Sequence, residues 1–246
     1  MEISLFQIVQ AVILLIILFY LIYYVYTVLF DTHYQPKAWQ DAVKKKKIVK
    51  ELRKAERNYP DKVRFFNFWF QTERLKKDHV EGAFAELGVY KGESANLLHL
   101  MDPGREFHLF DTFEGFKEKD LVNETGKAAT YTTANFADTS LNKVKRKLSS
   151  EKFIFHKGYF PDSAKDLKGV QYALVNMDVD LYNPTHAGLE YFYPRLSKGG
   201  VILIHDYTPD WPGIVKAVDE FCKKNSIVKV PLPDVDGTVM IFKGLI

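Results

Sequence analysis

The sequence contains a single cysteine, Cys222, among its 246 residues. One thiol supplies neither a disulfide framework nor the clustered thiolates of a structural zinc site, and it fits a reducing, cytoplasmic setting. The chain also lacks a strong excess of either charge, because 34 Lys and Arg residues stand against 31 Asp and Glu residues, for a net charge of +3. No field over the whole protein therefore indicates a nucleic-acid partner.

Charged residues are absent from Ala11 to Phe30, and extending this run back to Ile3 adds only three polar residues. About 20 apolar residues in a helix are enough to span a bilayer core. A cleaved signal peptide would carry a basic N-terminal region and a small-residue cleavage site, and this segment has neither. We therefore predict an uncleaved anchor over residues 1–36, with its span at about residues 8–30. A buried core helix is the alternative.

A strongly basic segment follows the apolar run. Residues 37–57 hold nine Lys or Arg residues against three acidic ones. We predict that residues 37–60 form a juxtamembrane helix that binds anionic lipid head groups, although a solvated linker helix would have a similar composition. The positive-inside rule then makes this a single-pass membrane protein whose globular part, residues 61–246, is cytoplasmic.

The rest of the chain alternates short apolar runs with helical segments, a pattern typical of a doubly wound, mostly parallel sheet. The two last runs predict a hairpin across Asp234 to Gly237. An aromatic-rich stretch from Arg64 is interpreted as a helix or cap on the domain edge and not as part of a site. Strands are predicted at 82–90, 105–113, 152–160, 170–182 and 199–207, and helices at 93–101, 135–149, 184–196 and 213–225.

The first predicted strand runs through a glycine-containing turn into a helix. Glu86, Gly88 and Tyr90 precede Gly92, and Ser94 lies in the helix that follows. The glycines allow a tight turn, and a helix N-terminus offers N–H groups to a carboxylate or phosphate. The dinucleotide fingerprint G-x-G-x-x-G is absent, whereas an acid two residues before the first glycine resembles the loop of S-adenosylmethionine enzymes. A turn needed only for strand-to-helix packing is the alternative.

Asp111 ends the second predicted strand, about 20 residues beyond this loop, where a carboxylate can accept both ribose hydroxyls. A carboxylate in a surface turn is the alternative. His99, His108 and His156 are assigned to packing or to the surface.

Four possible metal ligands follow two neighbouring strands. Asp178 and Asp180 leave the fourth predicted strand, and His205 and Asp206 leave the fifth. Neighbouring parallel strands lie about 4.8 Å apart, so these side chains can converge on a hard divalent cation such as Mg²⁺. Imidazole would also accept Mn²⁺, Fe²⁺ or Zn²⁺. The alternative is that Asp180 caps a helix and Asp206 closes a turn.

Several motifs in a fixed order resemble the macrocin O-methyltransferase family, whose members methylate sugar hydroxyls in antibiotic pathways. The resemblance covers about residues 82–242 and implies the class I methyltransferase fold, an α/β sheet with a C-terminal β-hairpin, here preceded by one N-terminal transmembrane helix. The motifs are ELGVYKGESA, FDTFEGF, KGYFPDS, MDVDLYNPT, the helix end YPRLSKGG, and IHDY followed by KAVDEF.

The resemblance implies S-adenosylmethionine as the cofactor and Mg²⁺, or another divalent cation, as the metal. By position, Asp178 and Asp206 match metal ligands, and Asp180 matches a general base that acts in catalysis beside Asp178. The family has two consecutive acids at the end of strand five, whereas this chain has His205 before Asp206, and His205 is included as a ligand. The residues expected to bind the cofactor are Glu86, Gly88, Tyr90, Gly92, Ser94, Asp111, Thr112, Phe113, and, near the adenine, Gly158 and Tyr159.

The leading hypothesis is a membrane-anchored O-methyltransferase that acts on the sugar hydroxyl of a small-molecule or lipid-linked substrate, such as a glycan or glycolipid precursor. A nicotinamide-dependent oxidoreductase on a Rossmann-like sheet is one alternative, which the missing glycines argue against. A non-catalytic binding or scaffold protein that retains the fold is another, and His205 is its one indication. The acceptor is expected to be set by residues 117–131 and 60–80, and a homo-oligomer is left open.

Overall fold

The computed structural model describes residues 4–30 and 34–244. Residues 1–3, 31–33 and 245–246, which belong to the predicted anchor and globular segments, lie outside the described residues. The chain divides into two compact units, residues 1–49 and 50–246.

The first unit contains the long apolar helix that the sequence predicts. Helix α1 (Leu5–Phe30) includes a segment, Leu5–Thr27, that is long and apolar enough to cross a membrane, with a mean hydropathy of 2.7 and exposed side chains. Helix α2 (Lys37–Lys44) follows.

The basic segment forms two helices and not the single helix predicted for residues 37–60. Helix α2 ends where Lys46 adopts a left-handed φ of 56°, and α3 (Lys50–Asn58) begins beyond it. A third helix, α4 (Lys62–Lys77), contains the aromatic stretch from Arg64. Its N-cap is Asp61, whose Oδ1 accepts a hydrogen bond from the Arg64 backbone N–H at 2.9 Å.

Seven strands form one sheet in the order β3-β2-β1-β4-β5-β7-β6. The first five are parallel, whereas β7 is antiparallel to both β5 and β6. The doubly wound sheet and the terminal hairpin are thus as predicted. The strands are β1 (Ala83–Leu87), β2 (Phe107–Asp111), β3 (Phe153–Lys157), β4 (Tyr172–Met177), β5 (Leu196–Ile204), β6 (Lys229–Pro231) and β7 (Val239–Phe242).

α-Helices separate the parallel strands except β3 and β4, between which the chain forms only a short 3-10 helix, Asp162–Ala164. One of them is shorter than predicted, since the helix expected at 135–149 covers only Leu141–Lys147. The helices are α5 (Glu93–Met101), α6 (Glu118–Leu121), α7 (Leu141–Lys147), α8 (Tyr182–Arg195) and α9 (Pro212–Asn225).

The centre of the sheet is buried on both faces, since every residue of β1 and β4 is buried. From β1 the chain adds β2 and β3 along one edge of the sheet, and it then returns to add β4 on the other side of β1. This reversal opens a crevice at the carboxyl ends of the strands, which is where ligands bind in such sheets.

Candidate active site

A cavity of about 720 Å³ lies at the carboxyl ends of the five parallel strands. Each strand contributes a residue at or just after its end. Those residues are Gly88, Asp111, Gly158, Asp178 and His205. The cavity therefore occupies the place where the sequence predicts the cofactor and metal sites.

The turn after β1 requires glycine at its first position. Gly88 has a φ of 88°, and a Cβ there would collide with the backbone carbonyl oxygen of Asp178. Tyr90 follows with a φ of 47° and lines the cavity. Gly92 is the N-cap of α5 with a φ of 72°, and it lies behind the lining. The turn thus packs its backbone directly against the end of β4.

Glu86 is fully buried beneath this turn and does not belong to the cavity lining. Its Oε1 accepts hydrogen bonds from the Ser94 hydroxyl and from Asn176 Nδ2, the second at 3.1 Å. Its Oε2 has no partner among the described residues. Burial raises the pKa of Glu86 to about 8. The structure therefore places Glu86 as a support for Ser94, which does line the cavity.

Asp111 braces the same turn from the end of β2. Its Oδ2 accepts the backbone N–H groups of Val89 and Tyr90 at 2.7 and 2.8 Å, and its Oδ1 accepts that of Phe113 at 2.6 Å. Asp111 and Thr112 line the cavity, whereas Phe113 is buried outside the lining. The carboxylate expected to hold a ribose thus also fixes the loop around it.

Beyond β3, Gly158 and Tyr159 line the cavity as expected. The Tyr159 hydroxyl donates to Oδ1 of Asp120 at 2.8 Å, and Asp120 is itself buried. Burial, together with Asp120, raises the pKa of Tyr159 above its ordinary value.

Three of the predicted metal ligands converge at the ends of β4 and β5. One ligand atom each from Asp178, His205 and Asp206 lies within 4.8 Å of the others. His205 Nδ1 is 3.3 Å from Asp178 Oδ1 and 3.2 Å from Asp206 Oδ1. Asp180 lines the cavity next to them, and both Asp180 and Asp206 have a left-handed φ of 60°.

The residues of this cluster have pKa values that are shifted in different directions. Burial would raise the pKa of Asp178, but Arg64 and His205 hold it well below its usual range. Burial and the nearby Asp178 and Asp206 raise the pKa of Asp180 well above its ordinary value. Burial lowers the pKa of His205, whereas the carboxylates of Asp178 and Asp206 raise it, to about 10. At neutral pH Asp178 is therefore ionised and His205 is protonated, so a metal cation that binds here would replace the His205 proton that lies between the two carboxylates.

Arg64 is a site residue that the sequence interpretation missed. Its Nη2 donates to Asp178 Oδ2 at 2.8 Å from the first turn of α4, and it lines the cavity. The stretch from Arg64 is a helix as predicted, but excluding it from the site was wrong. A charged residue within a run of buried aromatic residues was the available signal.

The α3–α4 corner and the β6–β7 loop form another wall of the cavity. Asp61 Oδ2 accepts the backbone N–H of Val235 at 2.8 Å, which joins these two elements. Asp236 in the same loop lies 4.0 Å from His205 Nε2. Burial raises the pKa of Tyr59 to about 12, and the nearby Asp178 adds to this rise whereas Arg64 opposes it. The residues of this wall are Ala55, Asn58, Tyr59, Pro60, Asp61 and Asp236.

The other histidines expected in packing roles do pack. His108 and His156 stack in parallel planes, with Nδ1 and Nε2 2.9 Å apart, and His99 packs against Phe153. Trp211 packs on Tyr131 outside the cavity lining.

Comparison with known proteins identifies similar chains. The model of the macrocin-O-methyltransferase family matches residues 25–244. One relative is the 8-demethyl-8-(2,3-dimethoxy-alpha-L-rhamnosyl)-tetracenomycin-C 4'-O-methyltransferase of Streptomyces olivaceus. It is 27% identical over 196 residues, which cover 73% of this chain and 72% of the relative. Mycinamicin III 3''-O-methyltransferase from Micromonospora griseorubida is 28% identical over 201 residues, covering 73% and 78%.

Solved structures share the fold. The O-methyltransferase NovP superposes with a TM-score of 0.66 at 24% identity, covering 74% of this chain and 80% of its own. A calicheamicin methyltransferase superposes with a TM-score of 0.56 at 21% identity, covering 85% and 94%. The seven-stranded mixed sheet with its helices is thus the class I methyltransferase fold that the sequence predicts.

Proposed function

The chain belongs to the macrocin O-methyltransferase family and is an S-adenosylmethionine-dependent O-methyltransferase; on that premise we propose that it methylates a sugar hydroxyl at a membrane, with a divalent cation in its active site. One observation carries the proposal. Asp178 and His205 line the same cavity as the glycine turn after β1, and Asp206, buried outside the lining, completes their cluster.

We assign the cofactor to the half of the cavity around the glycine turn. Gly88 allows close approach of the backbone, and the N-terminus of α5 offers N–H groups to the methionine carboxylate. Asp111 retains one lone-pair site, on Oδ1, for a ribose hydroxyl after accepting its three backbone donors. The lining residues proposed for the cofactor are Gly88, Tyr90, Ser94, Asp111, Thr112, Gly158 and Tyr159, while Glu86, Gly92 and Phe113 support them from behind.

The residues at the ends of β4 and β5 fit a divalent cation. His205 is 7% exposed, and neither of its ring nitrogens makes a hydrogen bond to any residue the structure describes. Two carboxylates and an unpaired imidazole nitrogen within 4.8 Å form an appropriate donor set. We propose Asp178, His205 and Asp206 as the ligands. A bound cation would lower the pKa of an acceptor hydroxyl.

The protein's own groups hold the reacting atoms and move the proton. Arg64 keeps the Asp178 carboxylate oriented. Asp180, whose pKa is raised, is proposed as the base that takes the hydroxyl proton as the oxygen attacks the sulfonium methyl group. The cavity holds the two substrates next to each other, which supplies much of the rate.

The wall of the α3–α4 corner fits a polar, hydroxyl-rich acceptor. It presents Asn58, Asp61 and Asp236 beside the ring of Tyr59. Relatives named for rhamnosyl-tetracenomycin and mycinamicin modification support a sugar as the acceptor class. Lys117 and Asp120 of the segment 117–131 also line the cavity, as do Pro60 and Arg64 of the segment 60–80.

We propose that α1 anchors the enzyme in a membrane. Its Leu5–Thr27 segment has the length and hydropathy for a span. The nine basic residues at 37–57 favour a cytoplasmic catalytic unit and contact with anionic head groups. An acceptor at such a surface would be lipid-linked.

The test uses full-length protein in detergent micelles. Calorimetry should detect binding of S-adenosylhomocysteine but not of nicotinamide dinucleotides. Methyl transfer to a glycolipid fraction should stop in excess chelator and return when a divalent cation is added. Binding of the nicotinamide dinucleotide would contradict the proposed cofactor, and transfer that persists in chelator would contradict the metal.

A further inference from the structure

The candidate metal cluster contains one nitrogen donor and two carboxylates. His205 Nδ1 faces Oδ1 of Asp178 and Oδ1 of Asp206 at 3.3 and 3.2 Å. Arg64 already occupies the other oxygen of Asp178. The open donors are therefore two carboxylate oxygens and an imidazole nitrogen.

The imidazole itself is the independent sign of a ligand. Its 7% exposed ring lines the cavity, yet neither nitrogen has a hydrogen-bond partner within residues 34–244 as described. The two carboxylates lie at ion-pair distance from Nδ1 without making a hydrogen bond, so they offset only part of the cost of burying the ring. A metal ion at Nδ1 would remove that cost and offset the carboxylate charges.

The nitrogen donor also discriminates between metals. Mg²⁺ takes oxygen ligands and keeps several waters, whereas imidazole suits first-row transition cations. We propose that His205 makes this a site for a transition cation such as Co²⁺, Fe²⁺ or Zn²⁺ in preference to Mg²⁺, a refinement that rests on the proposed function of the cavity.

Co²⁺ provides a direct probe, because its visible spectrum reports ligation without any turnover. The full-length protein should bind Co²⁺ at least about tenfold more tightly than Mg²⁺, measured by competition. His205→Asp should lose the nitrogen-ligated spectrum and narrow the Co²⁺ to Mg²⁺ ratio. His186→Asp on α8, outside the cavity lining, is the matched control and should leave both unchanged.

S-adenosylhomocysteine binding is measured on the same samples to separate the two claims. If both proteins bind S-adenosylhomocysteine and the ratio of Co²⁺ to Mg²⁺ affinity is the same in the wild type and in His205→Asp, the metal preference alone is overturned. Failure of this ligand to bind the wild type overturns the proposed cofactor site and, with it, the inference built on that site.

A second observation concerns Asp120, another residue of the cavity lining. Asp120 on α6 is 5% exposed and lines the cavity. Its Oδ1 accepts from the Tyr159 hydroxyl at 2.8 Å and from Asn183 Nδ2 at 3.3 Å. No described residue donates to its Oδ2. A carboxylate oxygen without a donor, on a buried side chain that lines a cavity, can accept a hydrogen bond from a ligand.

The position of Asp120 indicates which donor that is. Tyr159 follows β3, next to the end of β2 where Asp111 is proposed to hold the ribose. A base attached to that ribose would extend toward Tyr159 and Asp120. Adenine carries an amino group at its position 6, whereas hypoxanthine carries an oxygen there. We infer that Asp120 selects the adenine of the proposed cofactor by accepting a hydrogen bond from this amino group.

S-adenosylhomocysteine and S-inosylhomocysteine differ at this group and at the adjacent ring nitrogen N1, which carries a proton only in hypoxanthine, and their affinities test the inference. The wild type should prefer the adenine compound by at least about tenfold. Asp120→Asn should narrow that preference, because an amide can also donate, while the exposed control Asp162→Asn should keep it. An equal loss of both affinities in Asp120→Asn would show a merely structural role and overturn the inference. Absence of binding of either compound to the wild type would overturn the cofactor proposal itself.

Discussion

Arg64 Nη2 lies 2.8 Å from Asp178 Oδ2, although 114 residues separate the two in the chain. This ion pair joins the first turn of α4 to the end of β4. The helix that precedes the sheet is therefore part of the active site, and it controls one of the carboxylates on which the proposed chemistry depends.

Replacing Arg64 should impair catalysis through Asp178. We expect Arg64→Met to lower kcat by about 10- to 100-fold, because it releases a carboxylate oriented for the metal. Arg64→Lys should restore part of the loss. Steady-state methyl transfer measures the effect, and thermal unfolding shows whether each variant is folded. Unchanged kcat in a folded Arg64→Met would contradict this role.

Replacing Asp178 should separate chemistry from cofactor binding. Asp178→Asn keeps the size of the side chain but removes the charge that pairs with Arg64 and His205. We expect methyl transfer to fall by at least about 100-fold while S-adenosylhomocysteine affinity changes by less than about threefold. Calorimetry and a transfer assay measure the two. Parallel losses of binding and transfer would place Asp178 in the cofactor site.

Gly88 should be intolerant of a side chain. Gly88→Ala adds a Cβ that collides with the Asp178 carbonyl oxygen, and we expect S-adenosylhomocysteine affinity to drop by more than about tenfold. Gly169→Ala is the matched control, since its φ of 73° is also positive but a Cβ there meets no atom of the described residues within 4 Å. It should cost only about 1 kcal/mol of unfolding free energy. An equal loss of S-adenosylhomocysteine affinity in Gly88→Ala and Gly169→Ala would contradict the close approach of the Gly88 backbone to Asp178.

Stability should depend on pH through Glu86. Burial raises the pKa of this group from 4.5 to about 8, so its neutral form is favoured in the folded state. The resulting stability is fully present below about pH 4.5 and is lost as pH rises through about 8. Glu86→Gln should remove roughly 5 kcal/mol of this decline in the free energy of unfolding. Urea unfolding across this pH range measures the decline, and Glu81→Gln, at an exposed position, is the control. If the decline persists in Glu86→Gln, Glu86 is not its cause.

The orientation of α1 can be read from fusions to the C-terminus. A fluorescent protein that matures only in the cytoplasm should give signal, and alkaline phosphatase, which is active only outside, should not. Replacing Lys44, Lys45, Lys46 and Lys47 by Gln should reduce the fraction of molecules whose C-terminus is cytoplasmic. The reverse pattern of reporter activity would place the catalytic unit on the other side.

Local signals in the sequence were enough to predict the strands. Parallel strands buried on both faces appear as continuous apolar runs, so β1 was expected at 82–90 and lies at Ala83–Leu87. The helix expected at 135–149 is shorter because Asn135 Oδ1 accepts the Thr132 backbone N–H at 2.8 Å, which closes a turn, and Ser140 caps α7 only later.

The missed site residues share a physical reason. Arg64 and Asp236 reach the cavity only after α4 and the β6–β7 loop dock against the strand ends. Nothing in their sequence neighbourhoods reports that docking, because one lies in an aromatic helix and the other in a turn. The glycine turn and the acids after β4 and β5 were predicted because each of these motifs consists of residues that are close together in the sequence.

The most direct test of the central claim follows a labelled methyl group. Full-length enzyme is incubated with deuteromethyl S-adenosylmethionine and a glycolipid extract, and the products are hydrolysed and analysed by mass spectrometry. The account predicts label in an O-methyl ether of a sugar, formed by the wild type and lost in Asp178→Asn. Label in an N-methyl group or a carboxyl ester, or label from Asp178→Asn equal to the wild type, would contradict it.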